Sequence, residues 1–241
     1  MTRESLSAEF DTLYNNITSN RAPGLSEFEK SIFCTEALEL IVRDAYSGNS
    51  GPFEATEEVT QYLQSLVKQQ MYYNNAINQG TVISETEPLI VEQSTNAVFN
   101  GICKEWKASL PADFWFTVFE SATIADKSCP TYMTALVVPT THNELYKRLQ
   151  NPFRNPDART VLRVTIDNII ELYSSETLKD YCLRYLSSPG KIHLDSFTED
   201  TAPVEWIWTA TDDNDDLKRI PESLHRVILF KAVELAKAAW Q

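Results

Sequence analysis

The spacing of apolar residues in the first eighty positions predicts helices. Leu6, Phe10, Leu13, Tyr14 and Ile17 recur at intervals of three and four residues, which places them on one face of a helix with 3.6 residues per turn. Segment 1–80 is therefore predicted to be a helical region.

Two further helices are predicted in this region. The second opens with Ser26 and Glu29, the spacing of a capping box in which each side chain bonds to the backbone N–H of the other residue. Its apolar stripe comprises Phe28, Ile32, Phe33, Ala37, Leu40, Ile41 and Ala45. The third helix is expected to start near Thr56 and to bury Val59, Leu63, Leu66 and Val67.

Between residues 81 and 210 the pattern changes to short segments rich in aromatic and β-branched residues, which predict strands. Segments 114–121 and 132–138 are of this kind, and a short helix is predicted near 140–150. Asp167 and Asn168 separate two apolar runs and suit the tight turn of a hairpin, because both residue types tolerate positive φ. The alternation continues at 181–186 and 191–194.

The last region, 211–241, is predicted to be an acidic loop followed by a helix. Pro221 suits the first helical position, and Glu222 complements the positive end of the helix dipole. The apolar row of this helix comprises Leu224, Ile228, Ala232, Leu235 and Ala239. The sequence thus predicts one compact α+β unit, with an N-terminal helical bundle layer, a central antiparallel β-sheet and a C-terminal helix.

The chain is acidic, with 34 Asp and Glu against 21 Lys and Arg and a formal net charge of -13. Proteins that grip nucleic acid neutralise its phosphates with clustered Lys and Arg, and this sequence has no basic run of that kind. Tight DNA or RNA binding is therefore disfavoured, although DNA could pass such a surface without adhering. The simplest interpretation is that the excess acid keeps the protein soluble.

The cysteines Cys34, Cys103, Cys129 and Cys182 are widely spaced and form no C-x-x-C pair. The N-terminal residues lack the apolar stretch of a secretion signal, and no long apolar run follows. We therefore predict free thiols, folding in a reducing cytoplasm and no membrane segment.

The sequence carries no familiar catalytic or cofactor signature. Phosphate-cradling and dinucleotide motifs are missing, and the chain has only 6 glycines with which to build such loops. His142, His193 and His225 fall in different predicted elements, and the acidic run 212–216 lacks the glycine and the bidentate acid of a calcium loop. We expect no catalytic residue, no metal and no cofactor.

Two features suggest contacts. In the loop at residues 150–159, Pro152 and Pro156 flank Phe153 and Arg154, and proline restricts the backbone, so the loop is expected to be rigid. Trp240 is followed only by Gln241. Chain ends fray unless they dock, so this tryptophan packs either under its own domain or into a partner.

Four segments resemble those of a known family. They are LYNNITSNRAPGLSEFEKSIFCTEALELIV at 13–42, NPFRNP at 151–156, YLSSPGKIHL at 185–194 and IPESLHRVILFKAVELA at 220–236. Together they resemble the head-to-tail connector proteins of tailed bacteriophages, most closely those of crAss-like podoviruses.

The resemblance implies a virion structural protein without an active site, made in the bacterial host cytoplasm. It would form a ring of twelve copies beneath the portal protein, contact other tail ring proteins and line the channel through which the DNA leaves. The partner-binding residues are then expected to be Pro152, Phe153, Arg154, Pro156, Arg159 and Trp240. The acidic residues expected to line the channel are Asp212, Asp213, Asp215 and Asp216.

Two other functions are compatible with the residues alone. A small cytoplasmic enzyme would need at least two of the three histidines in one pocket. An acidic regulator that mimics nucleic acid would be a monomer that binds a basic partner. The loop at residues 150–159 could equally be a plain rigid connection.

Overall fold

The computed structural model describes residues 1–15, 24–47, 57–74, 103–125, 132–157, 159–195 and 220–239. The chain divides into two compact units, one formed by Met1–Leu66 with Pro189–Gln241 and the other by Val67–Ser188. The first unit is helical and the second is built on a β-sheet. The α+β class predicted from the sequence is confirmed.

Among the described residues, the helices of the helical unit are α1 (Arg3–Asn15), α2 (Glu27–Ser47), α3 (Glu57–Leu66) and α5 (Glu222–Ala238). Both α1 and α2 pack against α5. Most of the predicted apolar positions form this core, because Leu6, Phe10 and Tyr14 of α1 and Leu224, Ile228 and Ala232 of α5 are buried. Leu13 is half-buried, and Ile17 lies outside the described residues. Leu235 is only half-buried and Ala239 is exposed, so the buried row of α5 ends earlier than predicted.

The predicted capping box is present at the start of α2. The N–H of Ser26 donates to Oε2 of Glu29 at 2.8 Å, and the N–H of Glu29 donates to Oγ of Ser26 at 3.3 Å. These bonds satisfy donors that a helix end leaves without intrahelical partners. At α5, Pro221 occupies the N-cap with ψ 137, so it stands one position before the helical residue predicted for it.

The buried face of α2 is more polar than the predicted stripe. The buried residues are Lys30, Ser31, Cys34, Thr35, Ala37, Leu38 and Val42, whereas the predicted stripe is half-buried except for Ala37. Lys30 is tolerated there because its ammonium donates to Oγ of Ser7 at 3.1 Å, Oδ2 of Asp11 at 2.7 Å and Oε1 of Glu27 at 2.9 Å. Its donors are thus bonded inside the protein.

An extended segment accounts for the two buried hydroxyls of α2. The N–H of Ile192 donates to Oγ1 of Thr35, and the N–H of Leu194 donates to Oγ of Ser31, each at 3.0 Å. Two residues of extended chain rise about 6.6 Å and four residues of helix about 6.0 Å, so alternate N–H groups meet hydroxyls one helical turn apart. Segment 191–194 was predicted to continue the sheet, and that prediction is wrong because this segment bonds to helix α2.

The sheet unit contains seven strands among its described residues, in the order β1-β7-β3-β4-β5-β6-β2. They are β1 (Val67–Tyr73), β2 (Lys104–Ser109), β3 (Phe114–Ala125), β4 (Tyr132–Pro139), β5 (Thr160–Ile166), β6 (Ile169–Ser174) and β7 (Thr177–Ser187). Helix α4 (His142–Gln150) connects β4 to β5, which pair in parallel, while the other pairs are antiparallel. The crossover through α4 permits the parallel pair, since a tight turn can join only antiparallel strands.

Val67 corrects the prediction for the third helix. It begins β1 and pairs with Leu186 of β7, instead of lying in the helix, and its side chain is exposed. Leu63 and Leu66 are half-buried, Tyr62 is buried, and the predicted burial of Val59 concerns a side chain outside the described part of the structure. The predicted hairpin is confirmed, because β5 and β6 pair across Asp167 and Asn168, with Asp167 at φ 50.

The sheet curls around its own core. Tyr72 of the edge strand β1 donates from its hydroxyl to the carbonyl oxygen of Ser109, on the opposite edge strand β2, at 2.6 Å. The inner face holds a buried cluster that includes Trp106 and Tyr181, and the rings of Tyr72 and Tyr181 stack 5.7 Å apart. The loops between the strands are therefore attached to a sheet with a packed core.

Candidate contact loop

The loop at residues 151–159 joins α4 to β5 and is anchored at both ends. Leu145 and Leu149 of α4 pack against Leu162, Val164 and Tyr173 on the outer face of the sheet. The N–H of Leu136 in β4 donates to the carbonyl oxygen of Arg159 at 2.8 Å. The loop therefore leaves a packed helix and enters a paired strand.

Asn151 organises the first half of the loop. Its carbonyl oxygen accepts the N–H groups of Arg154 and Asn155, each at 2.9 Å, and its Oδ1 accepts the N–H of Phe153 at 3.0 Å. Asn at the first position and Pro152 at the second are favoured in such a β-turn, because the side chain bonds locally and proline presets φ. The hydrogen bonds of Asn151 thus add to the restraint that the two prolines are predicted to place on the loop.

Asp157 organises the second half. Its Oδ1 accepts the N–H of Arg159 at 2.9 Å. This backbone hydrogen bond, aided by bonds from Thr160 and opposed by partial burial, lowers the pKa of the Asp157 carboxyl. Pro156 is buried, so the second proline is an anchor of the loop and not part of its exposed surface.

The loop presents Phe153 to solvent. Its side chain is 95% exposed, and Pro152, Arg154 and Arg159 are also exposed. The ring of Phe153 is therefore accessible to a second molecule. The remaining predicted site residues lie outside the described part of the chain, namely Trp240, Asp212, Asp213, Asp215 and Asp216.

Helix α4 and the loop that holds Phe153 carry more basic than acidic residues, although the chain as a whole is acidic. Lys147, Arg148, Arg154 and Arg159 lie on α4 and the loop. Arg148 pairs with Glu144 at 3.4 Å, whereas Lys147, Arg154 and Arg159 are exposed. Sequence reasoning missed Lys147 and Arg148 because they precede the proline pair, although their spacing on the predicted helix was available as a signal.

Arg163, on the strand that follows the loop, has a different environment. Its Nε lies 3.1 Å from Oε1 of Glu120, an ion pair without hydrogen-bond alignment at that nitrogen. The hydroxyl of Tyr181 donates to the same carboxylate oxygen at 2.6 Å. Burial raises the pKa of Glu120, and the bond from Tyr181 and the charge of Arg163 oppose that rise. Arg163 therefore forms its ion pair within the sheet unit.

The described residues contain no cluster of three or more His, Cys, Asp or Glu that could hold a metal ion. His142 is exposed, whereas His193 and His225 are buried, and Nε2 of His225 lies 3.1 Å from the carbonyl oxygen of Ile220.

Cys34, Cys103 and Cys182 are free thiols as predicted, and Cys129 lies outside the described residues. Within the described part of the chain, no helix is long and apolar enough to cross a membrane.

An exposed phenyl ring beside an exposed arginine combines two residue types that are enriched at protein–protein interfaces. The whole chain, residues 1–241, matches the phage tail ring protein 3/4 family. It is 31% identical to ring protein 4/5 of Bacteroides phage crAss001, over 100% of this chain and 94% of that protein. It is also 31% identical to ring protein 3 of the same phage, over 98% of this chain and 95% of that protein.

The chain therefore belongs to the phage tail ring protein 3/4 family, and its role is structural, in the phage tail. This confirms the resemblance to proteins of crAss-like phages that the sequence segments indicated.

Proposed function

We propose that this chain is a head-to-tail adaptor that forms a ring beneath the portal protein and contacts other tail ring proteins. The observation that carries the proposal is the Phe153 side chain, 95% exposed on a turn that Asn151 fixes through three accepted hydrogen bonds. A turn that is already rigid loses little conformational entropy when it docks. The family match supports a repeated subunit as the context for that contact.

The ring contains twelve copies in this proposal, with the acidic run 212–216 lining the channel. Twelve copies at -13 each would carry a formal charge of 12 × -13 = -156. A wall that concentrates part of this charge would repel the DNA phosphates, so the DNA would pass without adhering. The adaptor then needs no enzymatic activity and no cofactor.

The proposal is tested by replacing Phe153 and Arg154 with alanine and measuring ring formation with the portal protein by sedimentation velocity. Exposed substitutions usually change the free energy of unfolding by no more than about 0.5 kcal/mol, so the variant is expected to fold normally. Loss of a central aromatic contact is expected to weaken assembly by about 2 kcal/mol or more per contact.

The matched control is Phe230→Ala, which removes a phenyl ring that is 60% exposed on α5 of the helical unit and is not part of the loop. This control is expected to assemble like the parent chain. Normal assembly of the Phe153→Ala, Arg154→Ala variant would mean that the loop is only a rigid connection.

A further inference from the structure

The helical unit carries a concave apolar pocket at the start of α2 and the end of α5. Its lining residues are Leu25, Glu29, Ile32, Phe33 and Ala239, and its volume is 180 Å³. Ile32 and Phe33 belong to the predicted stripe of α2, yet they are only half-buried. The stripe that sequence periodicity assigned to the core thus forms part of an open recess.

The size of the pocket suits an aromatic ring. An apolar protein cavity of about 150 Å³ binds benzene, so 180 Å³ accommodates a phenyl group. Phe153 is 95% exposed on its turn, so its ring is accessible to a second molecule. Every copy of the chain therefore carries both an apolar projection and a recess of matching size.

Charge favours the same pairing. Glu29 is the charged residue that lines the pocket, and Arg154 follows Phe153 directly. The capping-box bonds of Glu29 from the N–H and hydroxyl of Ser26 both use Oε2, so Oε1 is available to accept a bond from a cation. An arginine and a carboxylate brought together at the edge of an apolar contact add specificity to it.

We propose that Phe153 of one copy occupies the pocket of the next copy, with Arg154 beside Glu29 at its rim. This inference rests on the proposed function, in which the chain forms a ring, and it identifies the surface that receives the loop. The contact is head-to-tail, because the projection belongs to the sheet unit and the recess to the helical unit, so two different patches meet. Repetition of such a contact generates a closed ring when the rotation between neighbours closes.

The contact is tested by disulfide trapping between copies. Arg154→Cys and Ala239→Cys are combined, which leaves Phe153 and the apolar wall of the pocket in place. The control combines Arg154→Cys with Phe230→Cys, since residues 230 and 239 lie half a turn apart around α5. Rings assembled with the portal protein are oxidised gently and analysed on a denaturing gel without reductant.

The expected result is a ladder of linked multimers for the Ala239→Cys pair and monomers for the control, because each copy links to two neighbours. If the parent chain forms rings but the Arg154→Cys, Ala239→Cys variant yields only monomers or dimers on the gel, this inference is overturned while the proposed function stands. Failure of the parent chain to form rings with the portal protein would contradict the proposed function itself.

A second variant keeps the test independent of cysteine chemistry. Ala239→Leu adds bulk to the pocket at an exposed position, whereas Ala238→Leu adds the same bulk at the neighbouring exposed position. Ala239→Leu is expected to raise the concentration needed for assembly about tenfold or more, and Ala238→Leu to leave it unchanged. Equal assembly of both variants would show that the pocket is not the docking site.

Discussion

The N–H of Phe153 donates to the side-chain Oδ1 of Asn151 at 3.0 Å. This bond within the loop fixes the backbone from which the exposed phenyl ring projects. We predict that Asn151→Ala weakens assembly, because the loop must then lose entropy when it docks. The effect on unfolding should be small, about 0.5–1.5 kcal/mol for one net hydrogen bond. Asn151→Asp keeps the acceptor and should assemble more nearly like the parent chain in the same sedimentation assay.

The hydroxyl contacts between α2 and segment 191–194 give a prediction about stability. Thr35→Val keeps the shape of the side chain but removes the oxygen that accepts the N–H of Ile192, leaving a buried donor without its partner. We expect this change to lower the free energy of unfolding in urea by about 1–3 kcal/mol. Thr35→Ser retains the acceptor and should cost less, and equal losses in the two variants would contradict this role of the hydroxyl.

Lys30 gives a prediction about pH. Burial alone would lower its pKa, but hydrogen bonds and charge interactions with Asp11 and Glu27 raise it above the ordinary value of 10.5. Because the folded chain holds this proton more tightly than the unfolded chain, the stabilisation is present below pH 10.5 and is lost as the pH rises through the folded pKa.

Lys30→Met should therefore lower the free energy of unfolding at neutral pH, by about 1.5–3 kcal/mol for hydrogen bonds to charged groups. It should also remove part of the stability loss that the parent chain shows at alkaline pH. Lys231→Met is the control, since Lys231 pairs with Glu234 near the surface. Parallel alkaline losses in the parent chain and in Lys30→Met would show that this lysine does not carry the effect.

The proposed acidic channel gives a prediction about salt. Like charges brought together in a ring repel, and about 0.1 M salt screens them beyond roughly 10 Å. Rings are expected to form more readily as salt is added, and changing Asp212, Asp213, Asp215 and Asp216 to Asn should favour rings without portal protein.

The control for this variant removes the same amount of charge at exposed positions of α1 and α2, namely Glu4, Glu9, Glu36 and Asp44. If sedimentation velocity shows that both variants assemble alike, the acidic run opposes ring formation no more than other exposed carboxylates do. Rings that dissociate as salt is added would instead indicate attractive ion pairs between subunits.

Local patterns predicted the elements whose bonds are local. The hairpin across Asp167 and the capping box of Ser26 and Glu29 were readable because their partners lie within a few residues. The same holds for the turn that presents Phe153, since its prolines restrict the backbone directly.

Features that depend on distant partners were not predictable from spacing. Ser31 and Thr35 are buried because residues 192–194 bond to them, more than 150 positions along the chain. The curl of the sheet likewise brings together Tyr72 and Ser109, which lie on opposite edge strands and 37 positions apart in the sequence. The pocket beside Ile32 and Phe33 was missed because periodicity identifies an apolar stripe and does not say what covers it.

The central claim, that this chain is a subunit of a ring beneath the portal, is tested most directly by the particle mass measured by light scattering, alone and with the portal protein. We predict a complex that contains a closed ring of about twelve chains when portal protein is present, because a head-to-tail contact propagates until the ring closes. A chain that stays monomeric at every salt concentration and does not bind the portal protein would contradict the account.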